Sequence, residues 1–380
     1  MFDENHTDDV PFGMVYIVHG NCTEPQTPLF HADNGPTQVM LDSLYFIKCI
    51  AAMIGLMVNL VSIKVFLSFK RRSLFISMIF YLSCCEVCFN SCGLSFELFY
   101  LLVGSTNSHL MPIGSSLAVA QFLIYLVCQV VWIIYKSSLI LRNWIIVLIA
   151  WRRYRAISAS LSSQRSQSRR SFRLSLLLIG LLAALLTTPR AFELAYFLCA
   201  ESRQIVRLAP AAFAHSRRYS AYPKLFFVLT SPMPIVCLLV ISTLMTCSLR
   251  AAANTANVLQ VPISNSVSST RDRESTNSTS MRHRRSQSDA VNRTVLVLCG
   301  SFVLCELPML IAGIIKDFEC GDHCMKVHVF SGVANTLTSM DSFANFVVYV
   351  VSIPSFRNKL RPCSAGEQRS REESVQLRRI

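Results

Sequence analysis

The sequence predicts an all-α membrane protein: a seven-helix transmembrane bundle followed by a short C-terminal interfacial helix. Three observations predict it. Of the 380 residues, 52% are apolar and only 15% charged, whereas soluble domains carry about a quarter charged residues. Seven apolar windows occur, at 44–68, 74–102, 116–150, 174–196, 223–249, 294–316 and 327–352. Each is long enough, or nearly so, to cross about 30 Å of hydrocarbon as a helix, where backbone groups survive only with internal hydrogen bonds. The charges also alternate. The first 47 residues hold no Lys or Arg but seven acids, while basic residues crowd behind the first, third, fifth and seventh windows. That is the positive-inside pattern of a polytopic protein with its N-terminus outside.

Residues 1–43 read as an extracellular tail, with glycosylation sequons at Asn5 and Asn21. No basic leader with a compact apolar core precedes the first window, so that span is expected to double as an uncleaved signal anchor. Lys70, Arg71 and Arg72 form a short cytoplasmic turn. The third window is the longest and continues to "LRNWIIVLIAWRRYRAI". From Cys128 it supplies roughly twenty-five mostly apolar residues, about 38 Å at about 1.5 Å per residue. The fourth window is the shortest clean run. The segment 250–293 is polar, Ser/Asn/Thr-rich and basic, the composition of a disordered cytoplasmic loop. There Ser286 and Ser288 follow arginines, as basophilic kinases require, although a solvated linker would look the same. Residues 353–380 hold "SFRNKL", an amphipathic interfacial helix, then a charged tail in which Cys363 is a palmitoylation candidate.

The net charge of +14 would suggest nucleic acid in a soluble chain, but its distribution marks membrane topology, and nucleic acid is not expected. The eight His are scattered, no Gly-rich phosphate loop occurs, and Cys320-x3-Cys324 lacks further ligands for zinc. No enzyme chemistry, cofactor or metal is therefore expected. Cys84, Cys85, Cys88, Cys237, Cys247, Cys299 and Cys305 read as small apolar residues, whereas Cys22, Cys128, Cys199, Cys320 and Cys324 fall outside, in an oxidising compartment.

Charges inside the windows carry the most information. Arg142 lies eleven residues, about 17 Å, in from Arg153 at the cytoplasmic end of the third window. Glu86 in the second and Asp341 in the seventh lie at similar depth. Each is expensive alone in the bilayer, so they are expected to face inward and pair, with Asn345 nearby. A purely structural ionic cluster would satisfy the same physics. Lys136 and Glu97 are likewise expected to face a cavity, since lipid is the alternative.

The landmarks taken together resemble the rhodopsin-like G-protein-coupled receptor family, from about residue 44 to 363. They are Asn59 in "GLMVNLVSI", Glu86 in "LSCCE" where the family has Asp, Cys128 twenty-five residues before Arg153-Tyr154, Pro189, Pro234, Phe302-x-x-Cys305-Glu306-x-Pro308 with Glu306 replacing a Trp, and "NFVVY" ending in Tyr349 with Phe346 replacing a Pro. "TPRAFE", "CELP" and the Asn-Phe variant are also similar to invertebrate FMRFamide-type neuropeptide receptors.

The resemblance implies a plasma-membrane receptor for an extracellular peptide, coupled to a heterotrimeric G protein, with kinases and arrestin acting on cytoplasmic Ser/Thr. It implies a Cys128–Cys199 disulfide; Cys320 and Cys324 would then close a small loop, or one of them would bond Cys22. The family level that holds a sodium ion is occupied here by Arg142, neutralised by Glu86 and Asp341. Where amine receptors place an Asp stand Tyr135 and Lys136. Glu97, Glu193 and the deeper Glu306 would suit the guanidinium of an Arg-Phe-amide peptide, although Glu306 could instead pair with Lys136 or Arg142. Arg152 replaces the acid that restrains Arg153, which implies raised basal signalling, a restraint supplied from elsewhere, or a residue that merely snorkels to lipid phosphates. Arg153, Tyr154, Tyr349 and the sixth-span pair Phe302 and Pro308 are the coupling set. Two other readings are a chemosensory receptor for small molecules and a transporter or channel relaying ions through Glu86, Arg142 and Asp341; the related halves of transporters are not visible.

Overall fold

The computed structural model describes residues 15–18, 36–69, 73–104, 116–159, 169–192, 194–199, 205–210, 217–259, 271–318 and 324–360. Helix α1 (Pro36–Leu67) opens on a proline, whose missing N–H costs nothing in a first turn. Helix α2 (Leu74–Gly104) is capped by Ser73, whose hydroxyl accepts from Ile76 N at 3.2 Å. Helix α3 (Ser116–Ala159) is the longest of the early helices at 44 residues, and Gln129–Ser158 is its membrane-crossing part. Helix α4 (Arg169–Thr187) passes into a 3-10 turn, Thr188–Phe192. The expected fourth span reached residue 196; its α-helix stops at Thr187 instead. Pro189 has no N–H to continue the ladder, and the chain tightens and turns.

The fifth span is two pieces, α5 (Arg217–Thr230) and α6 (Pro232–Leu259), broken at Ser231. Pro232 and Pro234 remove two donors there, and side chains of α3 take up the carbonyls of the break. Asn143 Nδ2 donates to Thr230 O at 2.7 Å, and Trp144 Nε1 to Leu229 O at 3.1 Å. The sixth span lies in α7 (Arg271–Phe318) and the seventh in α8 (Cys324–Ser352). After Ile353 the chain bends by 101° into α9 (Pro354–Leu360), the expected short terminal helix.

Two features depart from expectation. Much of the segment 250–293 is helical, since α6 runs on to Leu259 and α7 begins at Arg271. Extending an existing helix costs far less than nucleating one, so polar sequence can continue a membrane helix into water. A three-stranded sheet is the other. Strand β1 (Val15–Val18) pairs in parallel with β2 (Leu194–Cys199) in the register Val15↔Tyr196, and β2 pairs antiparallel with β3 (Ile205–Pro210) in the register Leu194↔Pro210. It joins the N-terminal segment to the connection between the fourth and fifth spans.

Among the described residues, six helices are long and apolar enough to cross a membrane, and Val329–Ser352 with the bent α9 makes up to seven if that pair is one span. Leu174, Leu177, Leu178, Leu181, Leu182 and Leu185 on α4 are exposed, the outward apolar face that a lipid-solvated helix requires. The apolar core lies toward the end holding the α1–α2 turn. There Phe66 packs on Tyr349 and Phe356 at ring distances of 5.6 and 5.1 Å, and Phe346 packs on Phe356 at 6.1 Å. The aromatic at 346, where the resembled family has proline, thus helps seat α9 against the bundle. Phe302 and Tyr349 are fully buried in this core, and Pro308 lies inside α7.

Candidate functional site

The centre of the bundle is a charged cluster built around Arg142, whose side chain has no solvent exposure. Its planar guanidinium presents donors in a fixed fork, and four neighbouring groups meet them. Nη2 pairs with Glu306 of α7. Nη1 donates to Thr338 O of α8 at 3.0 Å, and Nε donates to Asn143 Oδ1 at 3.1 Å and lies 3.9 Å from Glu86 Oε1 of α2. The Phe89 ring lies 4.7 Å below the guanidinium carbon, a favourable stacking of cation on π-face. One side chain of α3 therefore joins α2, α7 and α8. Its neighbour Asn143 reaches the broken fifth span.

Glu86 is held from α8 as well, accepting from the Ser342 hydroxyl and from Asn345 Nδ2, the latter at 3.2 Å. Asn90 Nδ2 donates to Ser342 Oγ at 2.8 Å. Asp341 is fully buried and accepts from Asn345 at 3.4 Å, but it makes no ion pair with Arg142 among the described residues. The expected Glu86–Arg142–Asp341 triad is therefore corrected: the direct anionic partners of Arg142 are Glu306 and Glu86. Asp341 shares a face of α8 with Asn345, which also reaches Glu86, so it lies beside the cluster without touching the guanidinium. Glu306, named first for ligand contact, takes its alternative place as the partner of Arg142. Asn59 is fully buried but bonds its own helix at Gly55 O, 2.9 Å away, not the cluster.

Nearer the other end, four rings form a continuous stack. Phe96 meets Trp132 at 4.6 Å, Trp132 meets Tyr135 at 5.7 Å, and Tyr135 lies parallel to Phe89 at 4.9 Å. Lys136 Nζ sits 4.3 Å from the Trp132 ring. Glu97, 3% exposed, pairs with Lys48 of α1. Lys48 lies at the mouth of the first window, where a lysine ordinarily reads as a snorkelling residue, so nothing in the sequence signalled the pair. The side chains of Cys128, Cys199 and Glu193, with Asn5, Asn21 and Cys363, lie outside the described residues.

At the opposite end, Arg153 Nε donates to Asn292 Oδ1 of α7. Arg152 Nη2 donates to Ser171 Oγ at 3.1 Å, and its guanidinium covers the Phe172 ring at 5.5 Å. The snorkelling reading is thus replaced by docking on the start of α4. Tyr154 packs beside Trp151 at 5.7 Å. Asn292, Lys48, Asn143, Thr338, Ser342 and Asn90 are the partners that sequence reasoning missed.

Comparison with known proteins agrees with this architecture. The family model of seven-transmembrane receptors of the rhodopsin family matches residues 101–349. The crystal structure of squid rhodopsin superposes with a TM-score of 0.61 at 16% identity, covering 90% of this chain and 91% of that one; at that identity the likeness concerns the fold. No curated protein sequence matches the chain.

Proposed function

The chain belongs to the rhodopsin family of seven-transmembrane receptors, and on that premise we propose that it is a plasma-membrane receptor for an extracellular neuropeptide that activates a heterotrimeric G protein. The N-terminus lies outside, and the ligand enters between the helices at the end nearest the ring stack. The observation that carries the reading is the Arg153–Asn292 contact between α3 and α7. A sixth span that swings outward breaks it and frees Arg153, beside Tyr154, for a partner in the cytosol. Ligand binding then acts by shifting population toward that open state. On this reading the restraint on Arg153 comes from the sixth span rather than from position 152: Asn292 accepts its hydrogen bond, and the Asp289 carboxylate of the same helix lies close enough to act on its charge.

The ring stack of Phe96, Trp132, Tyr135 and Phe89 suits the aromatic C-terminal residue of an Arg-Phe-amide peptide, since aromatic pairs gain beyond their buried area. The guanidinium of such a peptide finds Glu97 already matched by Lys48 and Glu306 by Arg142, which leaves Glu193 as its acid among those named. An enzyme or cofactor role has no support from the family. The test is nucleotide exchange on a G protein in membranes displaying the chain, against a panel of amidated peptides. A peptide that stimulates exchange in the native chain and not in Arg153→Ala supports the reading. Silence toward every peptide with a response to small odorants or metabolites would favour the chemosensory alternative.

A further inference from the structure

We propose that the Arg142–Glu306 ion pair is the latch that holds the sixth span against the third in the resting receptor, a place where the resembled family uses an aromatic residue. The third span is fixed independently of α7: Asn143 and Trp144 bond the fifth span and Arg142 Nη1 bonds the seventh. Arg142 therefore cannot follow α7 when α7 moves. Glu306 rides on α7, is 2% exposed, and meets Arg142 where no water competes. Truncating one partner of such a pair is costly because the other charge is left buried.

The same charge balance explains why separation is available to the protein at all. Arg142 has Glu86 3.9 Å away from Nε and the Phe89 face beneath it, so the cation keeps a counter-charge when Glu306 departs. The latch is thus a two-position element: Arg142 shared between Glu306 and Glu86 at rest, and held by Glu86, with the Asp341 carboxylate nearby, when the sixth span has moved. The Arg153–Asn292 contact lies 14 residues away along α7, about 21 Å at about 1.5 Å per residue. The two contacts tie the same pair of helices at two depths, and opening requires both to part. Interfaces of this kind are bistable rather than continuously deformable.

The inference rests on the receptor reading, so its test carries a readout independent of any G protein. Spin labels introduced as non-natural side chains at the exposed Arg155 and Ala290 report the α3–α7 separation in the purified, ligand-free protein, beside nucleotide exchange in membranes at matched surface density. Glu306→Gln is expected to add a longer-distance population and to raise basal exchange roughly tenfold, the factor that about 1.4 kcal/mol of lost resting bias produces. Glu306→Asp, which keeps the charge and folds more safely, should give a smaller shift in the same direction. Asp341→Asn should shift the distance less than either, since Asp341 makes no ion pair with Arg142. A longer distance without exchange would uphold the latch and sink the G-protein reading. An unchanged distance in both Glu306 variants, or an equal change in Asp341→Asn, would overturn the latch.

Discussion

Asn143→Leu is the sharpest probe of how the third span organises its neighbours. Asn143 is fully buried and works in both directions, donating to Thr230 O at 2.7 Å and accepting from Arg142 Nε at 3.1 Å. Thr230 O depends on that donor because Pro234, four residues on, has no N–H to offer. Leucine fills a similar volume and supplies neither group. Two buried polar groups are then left short, each costing about 1–3 kcal/mol, so the expected loss is about 2–6 kcal/mol. In a chain of this size that lowers the melting temperature by roughly 2–8 °C, read by thermal unfolding of detergent-solubilised protein. The same substitution in a Pro234→Ala background should cost less, because a non-proline residue there returns a helical N–H donor to Thr230 O, and contacting residues couple in this way. A melting temperature unchanged in Asn143→Leu, or a cost equal in both backgrounds, would refute the argument that α3 replaces the donors that proline removes.

Three further outcomes follow from the charges. Lys48→Met should lower surface expression and thermal stability, by about 3–5 kcal/mol for the stranded carboxylate, and adding Glu97→Gln should recover most of the loss; no recovery would mean the pair is not the cause. Arg152→Asp places an acid beside Arg153 and detaches position 152 from Ser171 and Phe172, and ligand-free nucleotide exchange should fall; equal or higher exchange counts against it. Replacing sodium with potassium or choline at constant ionic strength should leave agonist potency unchanged, because a guanidinium paired with Glu306 and Glu86 occupies the mid-membrane level; a sodium-specific shift would contradict that.

Much of this arrangement is legible in the sequence, because the bilayer imposes strong rules. Apolar length gives the spans, and the expense of a buried charge gathers Arg142, Glu86 and Asp341 at one level, with Glu306 open to pairing with Lys136 or Arg142. What depth cannot give is contact. Asp341 shares a face of α8 with Asn345, which also reaches Glu86, yet it is Glu306 of α7 that meets the guanidinium, and only the packed structure shows which acid touches it. Contacts to backbone atoms are hidden for another reason: Asn143 and Trp144 have partners only because the fifth span breaks at Ser231, and a break is a tertiary event. The Lys48–Glu97 pair and the β1–β2 pairing are hidden by distance along the chain, since neither leaves a local periodic signal. The helical run of 271–293 is hidden by composition, which reports the lack of a core and not the presence of a helix to extend.

On the proposed function, the seven-helix bundle works on a cytosolic partner rather than passing solute. Nucleotide exchange and transmembrane ion flux measured together, in the same membranes displaying the native chain and Arg153→Ala, test it directly. Exchange that requires Arg153 is expected, with no flux above membranes lacking the protein. Flux without exchange, unaffected by Arg153→Ala, would contradict it.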